Sequence, residues 1–269
     1  MLINKNEYKI SLTELWHEVF ADSYDFIEHI FKPEYDGYIL CFAELDGDKA
    51  VSAFYLIRNT LKFEGVFFEG FYLYAAATLP EYRKSGIMAK LIREAQLFCR
   101  ENNFDFISLV PSDEGLYSYY SRFGFEAAMY RCENSAPIQK LNINPCFGFD
   151  DTAEILEIRN AYEGNIISFH PATFAYACDC LKYSDFEFRR ISEMGYLLCS
   201  DEDDFAEILL PKKENADELP ALKENITSPY ALEQYSACEL KPFGMLYPIN
   251  PRLIKRWKYT DIYMNIALD

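Results

Sequence analysis

The first part of the chain passes from helical to strand-like spacing of its apolar residues. In residues 11–31 apolar positions recur at intervals of three and four, which predicts two short helices. Ser11 and Glu14 form the pattern of a capping box at the start of the first helix. A strand, a turn and a partner strand are then predicted at 38–45, 46–49 and 50–63. The chain therefore opens with helices followed by an antiparallel hairpin.

The pattern next changes to an alternation of strands and helices. A strand at 68–80 ends at a proline, and an amphipathic helix is predicted from residue 85 to about 101. The remaining elements of this half are a strand at 104–111, a helix at 113–123 with Gly124 as its C-terminal stop, and a strand at 125–133. We expect the strand at 104–111 to run parallel to the strand at 68–80. This order predicts an α/β fold in which helices cover both faces of a mixed sheet.

The second half of the chain repeats part of this order. Segment 134–149 contains Pro and Gly without clear periodicity, as in a connector. Beyond it we predict helices at 151–164 and 172–184, strands over 186–211 with an acidic turn at 200–204, and a helix at 216–226 interrupted by Pro220. Both halves contain helix, strand, acidic turn and strand, which indicates a tandem repeat with an altered second copy. We therefore predict two domains, at 1–135 and 150–269.

Composition and charge narrow the classes of function. The 269 residues are 50% hydrophobic, which is enough for one large core or two ordinary ones. The net charge of −17 argues against a nucleic-acid partner, which requires a basic face. A cationic ligand is compatible with this charge, and solubility alone also accounts for it. The sequence shows neither a signal-peptide pattern nor a run of about 18 apolar residues, so no membrane association is expected.

The cysteines predict no metal site and no disulfide framework. Eight cysteines are scattered without any Cys-x-x-Cys pair, and the chain has only three histidines. We expect reduced thiols and a cytoplasmic protein.

One short stretch, "LPEYRKSGIMAKLI" at residues 79–92, holds most of the candidate chemistry. It places Arg83, Lys84, Ser85 and Gly86 where a strand ends and a helix begins. The start of a helix has unpaired N–H groups and a partial positive charge, and both favour a bound phosphate. Glycine has no Cβ and lets the backbone approach a ligand closely. Alternatively, Gly86 only packs the helix against the sheet and Arg83 is solvated.

This stretch resembles the acetyl-CoA loop of the GCN5-related N-acetyltransferases, the GNAT family. The family pattern is Arg or Gln, two residues, Gly, one residue, then Gly or Ala. The chain matches it at Arg83 and Gly86 and has Met88 where the family usually has a small residue.

A second stretch, "YYSRFGFE" at residues 119–126, resembles another signature of the same family, which is Tyr, three residues, Gly and Phe. The matching residues are Tyr120, Gly124 and Phe125. The resemblance covers residues 1 to about 133 and is weak over 150–269. It implies a GNAT fold with one acetyl-CoA site in the first half and a degenerate GNAT-like second half.

The resemblance also implies a reaction, which is transfer of an acetyl group from acetyl-CoA to a primary amine of a small molecule or peptide. Tyr120 matches the family's general acid, which protonates the departing thiolate. The backbone that binds pantetheine and the thioester carbonyl corresponds to Ala76, Ala77 and Thr78. The residues of the loop that would bind the pyrophosphate are Arg83, Lys84, Ser85, Gly86, Ile87 and Met88. The small side chains of "AAAT" leave room for a cofactor, and close helix packing is the alternative explanation.

The base that deprotonates the amine is left open. Glu44, Glu69, Asp113 and Glu114 are candidates, and for each of them a solvated carboxylate is the better explanation. Two other functions also remain. One is a non-catalytic acyl-CoA-binding or regulatory module, and the other is an aminoacyl transferase built from two such folds, a class that typically lacks the Arg/Gly loop.

Overall fold

The computed structural model describes residues 1–132, 152–192, 195–200, 205–209, 240–256 and 262. The predicted connector at 134–149, most of the acidic turn at 200–204 and the helix at 216–226 lie outside these ranges. In chain order the helices are α1 (Lys9–Phe20), α2 (Tyr24–Glu28), α3 (Ile87–Glu101), α4 (Glu114–Ser121), α5 (Thr152–Ala161), α6 (Pro171–Tyr183) and α7 (Pro251–Arg256). The strands are β1 (Leu2–Ile3), β2 (Ile39–Asp46), β3 (Lys49–Phe63), β4 (Val66–Thr78), β5 (Phe106–Leu109), β6 (Glu126–Cys132), β7 (Ile166–Phe169), β8 (Phe186–Ser192), β9 (Gly195–Ser200), β10 (Phe205–Leu209) and β11 (Leu240–Pro248).

The chain divides into two compact units, and neither is continuous in sequence. The first consists of Met1–Thr60, Phe68–Glu126 and Met245–Lys258, and the second of Leu61–Phe67, Ala127–Gly244 and Tyr259–Asp269. The boundaries expected from sequence, 1–135 and 150–269, are contiguous and differ from this division. They differ because strand pairing between distant segments determines which residues pack together, and local patterns do not contain that information.

The first unit is built on a mixed sheet, as the sequence predicts. Its strands follow the order β1, β2, β3, β4, β5 and β11. β2 and β3 form an antiparallel hairpin, whereas β4 and β5 are parallel, with Tyr72 opposite Ser108. β11 is antiparallel to β5, with Met245 opposite Leu109. The parallel pair requires a crossover, and α3 supplies it.

The core of the first unit lies between α3 and the sheet. The apolar positions of α3 that recur at three and four place Leu91, Ile92, Ala95 and Cys99 on one buried face. They pack in one cluster with aromatic and aliphatic residues of β2, β3, β4 and β5, namely Phe42, Phe54, Leu56, Phe71, Leu73, Ile107 and Leu109. This packing fixes the start of α3 relative to the end of β4.

The capping box predicted at Ser11 is wrong. α1 begins at Lys9 with Tyr8 as its N-cap, so Ser11 lies inside the first turn. The Ser11 Oγ accepts a hydrogen bond from the backbone N–H of Ala50 at 2.6 Å. The Ser11 hydroxyl therefore binds a residue of β3 instead of capping the start of α1.

The second unit contains a separate three-stranded antiparallel sheet in the order β10, β9, β8. α6 is followed in the chain by β8, β9 and β10, and the predicted acidic turn falls between β9 and β10, mostly outside the described residues. α6 buries Phe174, Tyr176 and Ala177. Arg159 of α5 is 1% exposed, and its guanidinium donates to the Tyr196 hydroxyl at 2.6 Å and to the Ile167 carbonyl at 3.1 Å. That this unit is a degenerate copy of the first stays a prediction.

Within the described ranges, no helix has both the length and the apolar character needed to cross a membrane. In the same ranges, no three His, Cys, Asp or Glu side chains converge as ligands of a metal ion.

Candidate active site

A cavity of about 930 Å³ lies within the first unit. Its walls are the end of β4, the loop over 82–86, the first two turns of α3, and α4 with the residues that flank it, together with Val19 from α1. The parallel pair β4 and β5 with its crossover helix produces this arrangement, because β4 delivers the chain to the start of α3.

The cavity brings together nearly all of the residues that the sequence singles out. These are Ala76, Thr78, Arg83, Lys84, Ser85, Gly86, Ile87, Met88 and Tyr120. Ala77 does not line it. Successive residues of a strand point to opposite faces, and Ala77 is 3% exposed with its carbonyl accepting from Ser52 Oγ at 3.1 Å.

The backbone of β4 bends just before this segment. Ala75 has a φ of 51°, a left-handed conformation that is uncommon for a residue with a side chain. Such a conformation costs roughly 1–2 kcal/mol. It turns the chain at the edge of the cavity immediately before Ala76 and Thr78.

The loop after β4 is held by its own hydrogen bonds. Arg83 Nε donates to the Thr78 carbonyl at 3.0 Å, and Ser85 Oγ donates to the Tyr82 carbonyl at 2.5 Å. The Tyr82 hydroxyl donates to Asp46 Oδ2 at 2.6 Å, which ties the loop to the β2–β3 turn. This hydrogen bond to a carboxylate raises the pKa of the Tyr82 phenol.

Gly86 is the N-cap of α3 and has a φ of +86°. Nothing would lie within 4 Å of a Cβ at this position, so the glycine serves the left-handed backbone rather than close packing of helix against sheet. No side chain caps the helix. The first N–H groups of α3, at Ile87, Met88 and Ala89, therefore have no intrahelical acceptor and lie at the cavity wall. The helix begins two residues later than predicted.

The charge of the cavity is opposite to that of the chain. Four basic residues line it, and among the acidic residues only Asp113 does. None of the four makes an ion pair with a described residue; they are Arg83, Lys84, Arg93 and Arg122. In a chain with a net charge of −17, this concentration of unpaired cations indicates an anionic ligand.

Tyr120 presents a nearly buried phenol to the cavity. The residue is 7% exposed, and its ring packs against those of Tyr119 and Phe125 at centroid distances of 5.3 and 5.9 Å. Its hydroxyl forms no hydrogen bond with a described residue. Burial raises the pKa of this phenol, and the nearby Tyr119 and Asp113 raise it further. The hydroxyl therefore keeps its proton at neutral pH.

α4, which carries Tyr120, has a defined start and end. Asp113 Oδ1 accepts from the Leu116 N–H at 3.1 Å and caps the helix. The helix ends at Ser121, and Gly124 lies three residues further on with a φ of +83°. The predicted stop is thus displaced by one tight turn, in which the N–H of Phe123 bonds to the Tyr120 carbonyl at 2.9 Å.

The four carboxylates considered as bases are placed differently. Glu44 accepts from Lys90 Nζ at 2.8 Å, and Glu69 accepts from Arg58 at 2.8 Å. Glu114 is exposed in the first turn of α4. Of the four, Asp113 alone lines the cavity.

Sequence reasoning singled out neither the polar wall residues Tyr82, Arg93 and Arg122 nor the other five, which are Val19, Ala89, Leu116, Tyr119 and Phe123. One signal for Arg93 was available: it lies seven residues after Gly86, which places both on one face of a helix. Arg122 lies inside the Tyr, three residues, Gly, Phe signature, at a position that the signature leaves unspecified.

The mixed sheet, the uncapped helix start beside a bent strand and the second helix with a buried phenol agree with the acetyl-CoA site that the motif resemblance implies. Residues 3–128 match the family model described as an acetyltransferase (GNAT) domain. This match identifies residues 3–128, just under half of the chain, as a GNAT acetyltransferase domain, and acetyl-CoA is the co-substrate of that family.

Solved structures show the same fold over most of the chain. A GCN5-related N-acetyltransferase from Kribbella flavida has 16% identity and a TM-score of 0.66, with 93% of this chain and 72% of that one covered. A GCN5-related N-acetyltransferase from Anabaena variabilis ATCC 29413 has 14% identity and a TM-score of 0.63, covering 91% and 71%. Eis1 from Mycobacterium abscessus has 13% identity and a TM-score of 0.62, covering 92% and 73%. No curated protein matches the chain in sequence.

Proposed function

We propose that this protein transfers an acetyl group from acetyl-CoA to a primary amine of a small molecule or peptide, with Tyr120 as general acid. One observation carries the proposal. A single cavity of a GNAT domain holds both the uncapped start of α3 and the Tyr120 phenol. The start of α3 suits the phosphates of CoA, and the Tyr120 phenol suits the CoA sulfur, which is the leaving group.

The N–H groups at the start of α3 would bind the pyrophosphate, with Arg83 and Lys84 adding positive charge. The pantetheine arm would lie along the end of β4, where Ala76 and Thr78 leave room for it. A backbone N–H in this segment would polarise the thioester carbonyl. Such a donor contributes about 3 kcal/mol to the transition state.

In the reaction the amine nitrogen attacks the thioester carbonyl carbon. A C–N bond forms, the C–S bond breaks, and the electron pair of that bond stays on the sulfur of CoA. Tyr120 donates a hydrogen bond and then its proton to this thiolate, while the amine nitrogen loses one proton to a base or to water. The Tyr120 phenolate takes a proton back from water, which restores the enzyme. The products are an amide and CoA with a free thiol.

The burial of Tyr120 has two consequences for this role. The raised pKa keeps the phenol protonated at the pH where amines react. A thiolate is less basic than this phenolate, since thiols ionise near a pKa of about 8.5. The hydrogen bond from Tyr120 therefore stabilises the sulfur at the transition state, and net proton transfer to it requires that water reprotonate the phenolate.

The test is steady-state release of CoA thiol from acetyl-CoA with a panel of primary amines. Tyr120→Phe removes one oxygen and is expected to lower kcat by about 10²-fold or more, with unchanged acetyl-CoA binding by calorimetry. Tyr117→Phe, on the same helix but outside the cavity wall, is the matched control and is expected to keep wild-type turnover.

Unchanged turnover in Tyr120→Phe would remove this residue from the mechanism. Binding of acetyl-CoA without transfer to any amine of the panel would instead favour the non-catalytic acyl-CoA-binding module.

A further inference from the structure

Two arginines of the cavity wall have no part in the mechanism described above. Arg93 lies on α3 and Arg122 is the C-cap residue of α4. The guanidinium carbon of Arg93 lies 5.4 Å from the centre of the Phe123 ring, and that of Arg122 lies 4.7 Å from the centre of the Tyr119 ring. Those two rings pack edge to face at 5.2 Å. The cations are therefore held beside one aromatic pair.

Both guanidiniums are pre-positioned and available to a ligand. Stacking on an aromatic face limits the rotamers of an arginine while leaving its N–H groups free to donate. Arg122 Nε has one contact, with the Tyr119 carbonyl at 3.4 Å. Neither arginine forms an ion pair with any residue of the described ranges, although acidic residues outnumber basic ones by 43 to 26 in the whole chain.

The pair is separate from the start of α3. Arg93 comes seven residues after Gly86, which is about 10 Å along a helix axis. Long side chains on a helix point back toward its N-terminus, so the Arg93 guanidinium lies closer to the loop than its Cα does. A ligand that binds both places needs two anionic groups, one at the helix start and one several ångströms away in the same cavity.

We propose that Arg93 and Arg122 form a second anion subsite, which binds the 3′-phosphate of CoA. This assignment rests on the proposed function, since it takes CoA as the molecule in the cavity. A phosphate monoester carries close to two negative charges at neutral pH, and the planar guanidinium matches its oxygens with paired N–H donors. The subsite makes the protein selective for CoA over 3′-dephospho-CoA, which shares every other group.

Calorimetric titration with CoA and 3′-dephospho-CoA tests the assignment. The wild type is expected to bind CoA at least tenfold more tightly than 3′-dephospho-CoA. The double variant Arg93→Gln, Arg122→Gln removes both charges but keeps two of the three methylenes of each stem. It is expected to bind both nucleotides equally, with the wild-type affinity for 3′-dephospho-CoA. Arg252→Gln, on α7 and outside the cavity wall, is the matched control and should keep the preference. The single variant Arg122→Gln, at an exposed position, provides the measurement if the double variant does not fold.

A second readout is pH. The second pKa of a phosphate monoester is about 6, so the preference for CoA should shrink when the titration is repeated at pH 5.5. Equal wild-type affinities for the two nucleotides, or a preference that survives in the double variant, would overturn the subsite and leave the proposed function intact. Failure of the wild type to bind either nucleotide would overturn the proposed function and the subsite with it.

Discussion

The Gly86 backbone is the residue-scale feature on which the proposed phosphate site depends most directly. Its φ of +86° is unfavourable for any residue with a Cβ, although space for one exists. Gly86→Ala is expected to lower the free energy of unfolding by roughly 1 kcal/mol and to weaken acetyl-CoA binding, as the loop relaxes away from this conformation. Chemical denaturation and calorimetry measure the two effects.

Gly37 provides the matched control for that variant. It has a φ of +81° and equally open space, but it does not line the cavity. Gly37→Ala should lower the stability by a similar amount and leave acetyl-CoA binding unchanged. Equal loss of binding in both variants would show that global stability, and not the loop conformation, limits binding.

Tyr82 is expected to act as a positioning residue of the loop. Tyr82→Phe removes the hydrogen bond to Asp46 and frees the loop from the β2–β3 turn. The KM for acetyl-CoA should rise roughly three- to tenfold with little change in kcat. The reason is that the Tyr82–Asp46 hydrogen bond supports the loop equally in the substrate complex and in the transition state. Steady-state kinetics measure both constants, and an unchanged KM would mean that the bonds of Arg83 and Ser85 hold the loop without it.

Among single residues, the sequence predicts those that belong to a recognisable local pattern. Gly86 and Tyr120 lie in short motifs at the ends of elements, and both line the cavity. Arg93 and Arg122 are positions that those motifs leave free, and only the folded structure brings them to one aromatic pair. The capping box predicted at Ser11 was wrong for a related reason. The Ser11 hydroxyl accepts a hydrogen bond from Ala50, a residue distant in the chain.

At the scale of elements, α3 is the helix that the sequence predicts best. Its apolar spacing indicates its buried face, and the stretch at 83–86 indicates where it begins. Its buried face includes Cys99, whose pKa burial raises from 9.0 to about 12. In the unfolded chain this thiol ionises near pH 9, so its protonated form stabilises the fold below that pH. The contribution is lost as the pH rises from 9 toward 12.

Cys99→Ala tests this linkage. The free energy of unfolding should be measured for wild type and variant by chemical denaturation. The amount by which the wild type exceeds the variant should shrink by roughly 1 kcal/mol per pH unit between pH 9 and 11. A difference that stays constant over this range would show that the thiol ionises in the native state as easily as in the unfolded chain.

β11 lies within the predicted second domain, 150–269, and its residues Met245–Pro248 pair with β5 in the first unit. Nothing local in "KPFGMLYPIN" reveals that it pairs with β5, more than a hundred residues earlier. Its Tyr247 is 9% exposed, packs on Phe125 at 5.5 Å and accepts a hydrogen bond from Arg100. The periodicity of a strand predicts its faces, and it says nothing of which strand will be its neighbour.

Tyr247→Ala is therefore expected to destabilise the first unit, although sequence position assigns this residue to the second half. The loss should be about 3 kcal/mol or more, the usual magnitude for a buried aromatic residue. Tyr183→Ala, on α6 with 47% exposure, is the control and should change the free energy of unfolding by less than about 0.5 kcal/mol. Similar losses in both would contradict a structural role for β11 in the first unit.

At the scale of the whole molecule, one compact unit is interrupted in sequence by the other. A chain that joins residues 1–132 to 240–256 through a flexible linker is expected to unfold cooperatively and to bind acetyl-CoA. Residues 1–132 alone leave β5 without its β11 neighbour and are expected to do neither. Circular dichroism melting and calorimetry compare the two, and full binding by residues 1–132 alone would contradict the requirement for β11.

This arrangement determines how long β5 lacks its β11 neighbour while the chain is synthesised on the ribosome. β5 is complete at Leu109, but the strand that covers its edge is synthesised only at Leu240–Pro248. At a translation rate of about 5–20 residues per second, the edge of β5 stays without that partner for on the order of ten seconds. During this interval the nascent chain offers an open strand to its neighbours on the same messenger RNA. Chaperones that bind nascent chains are therefore expected to act on this protein until β11 has been synthesised.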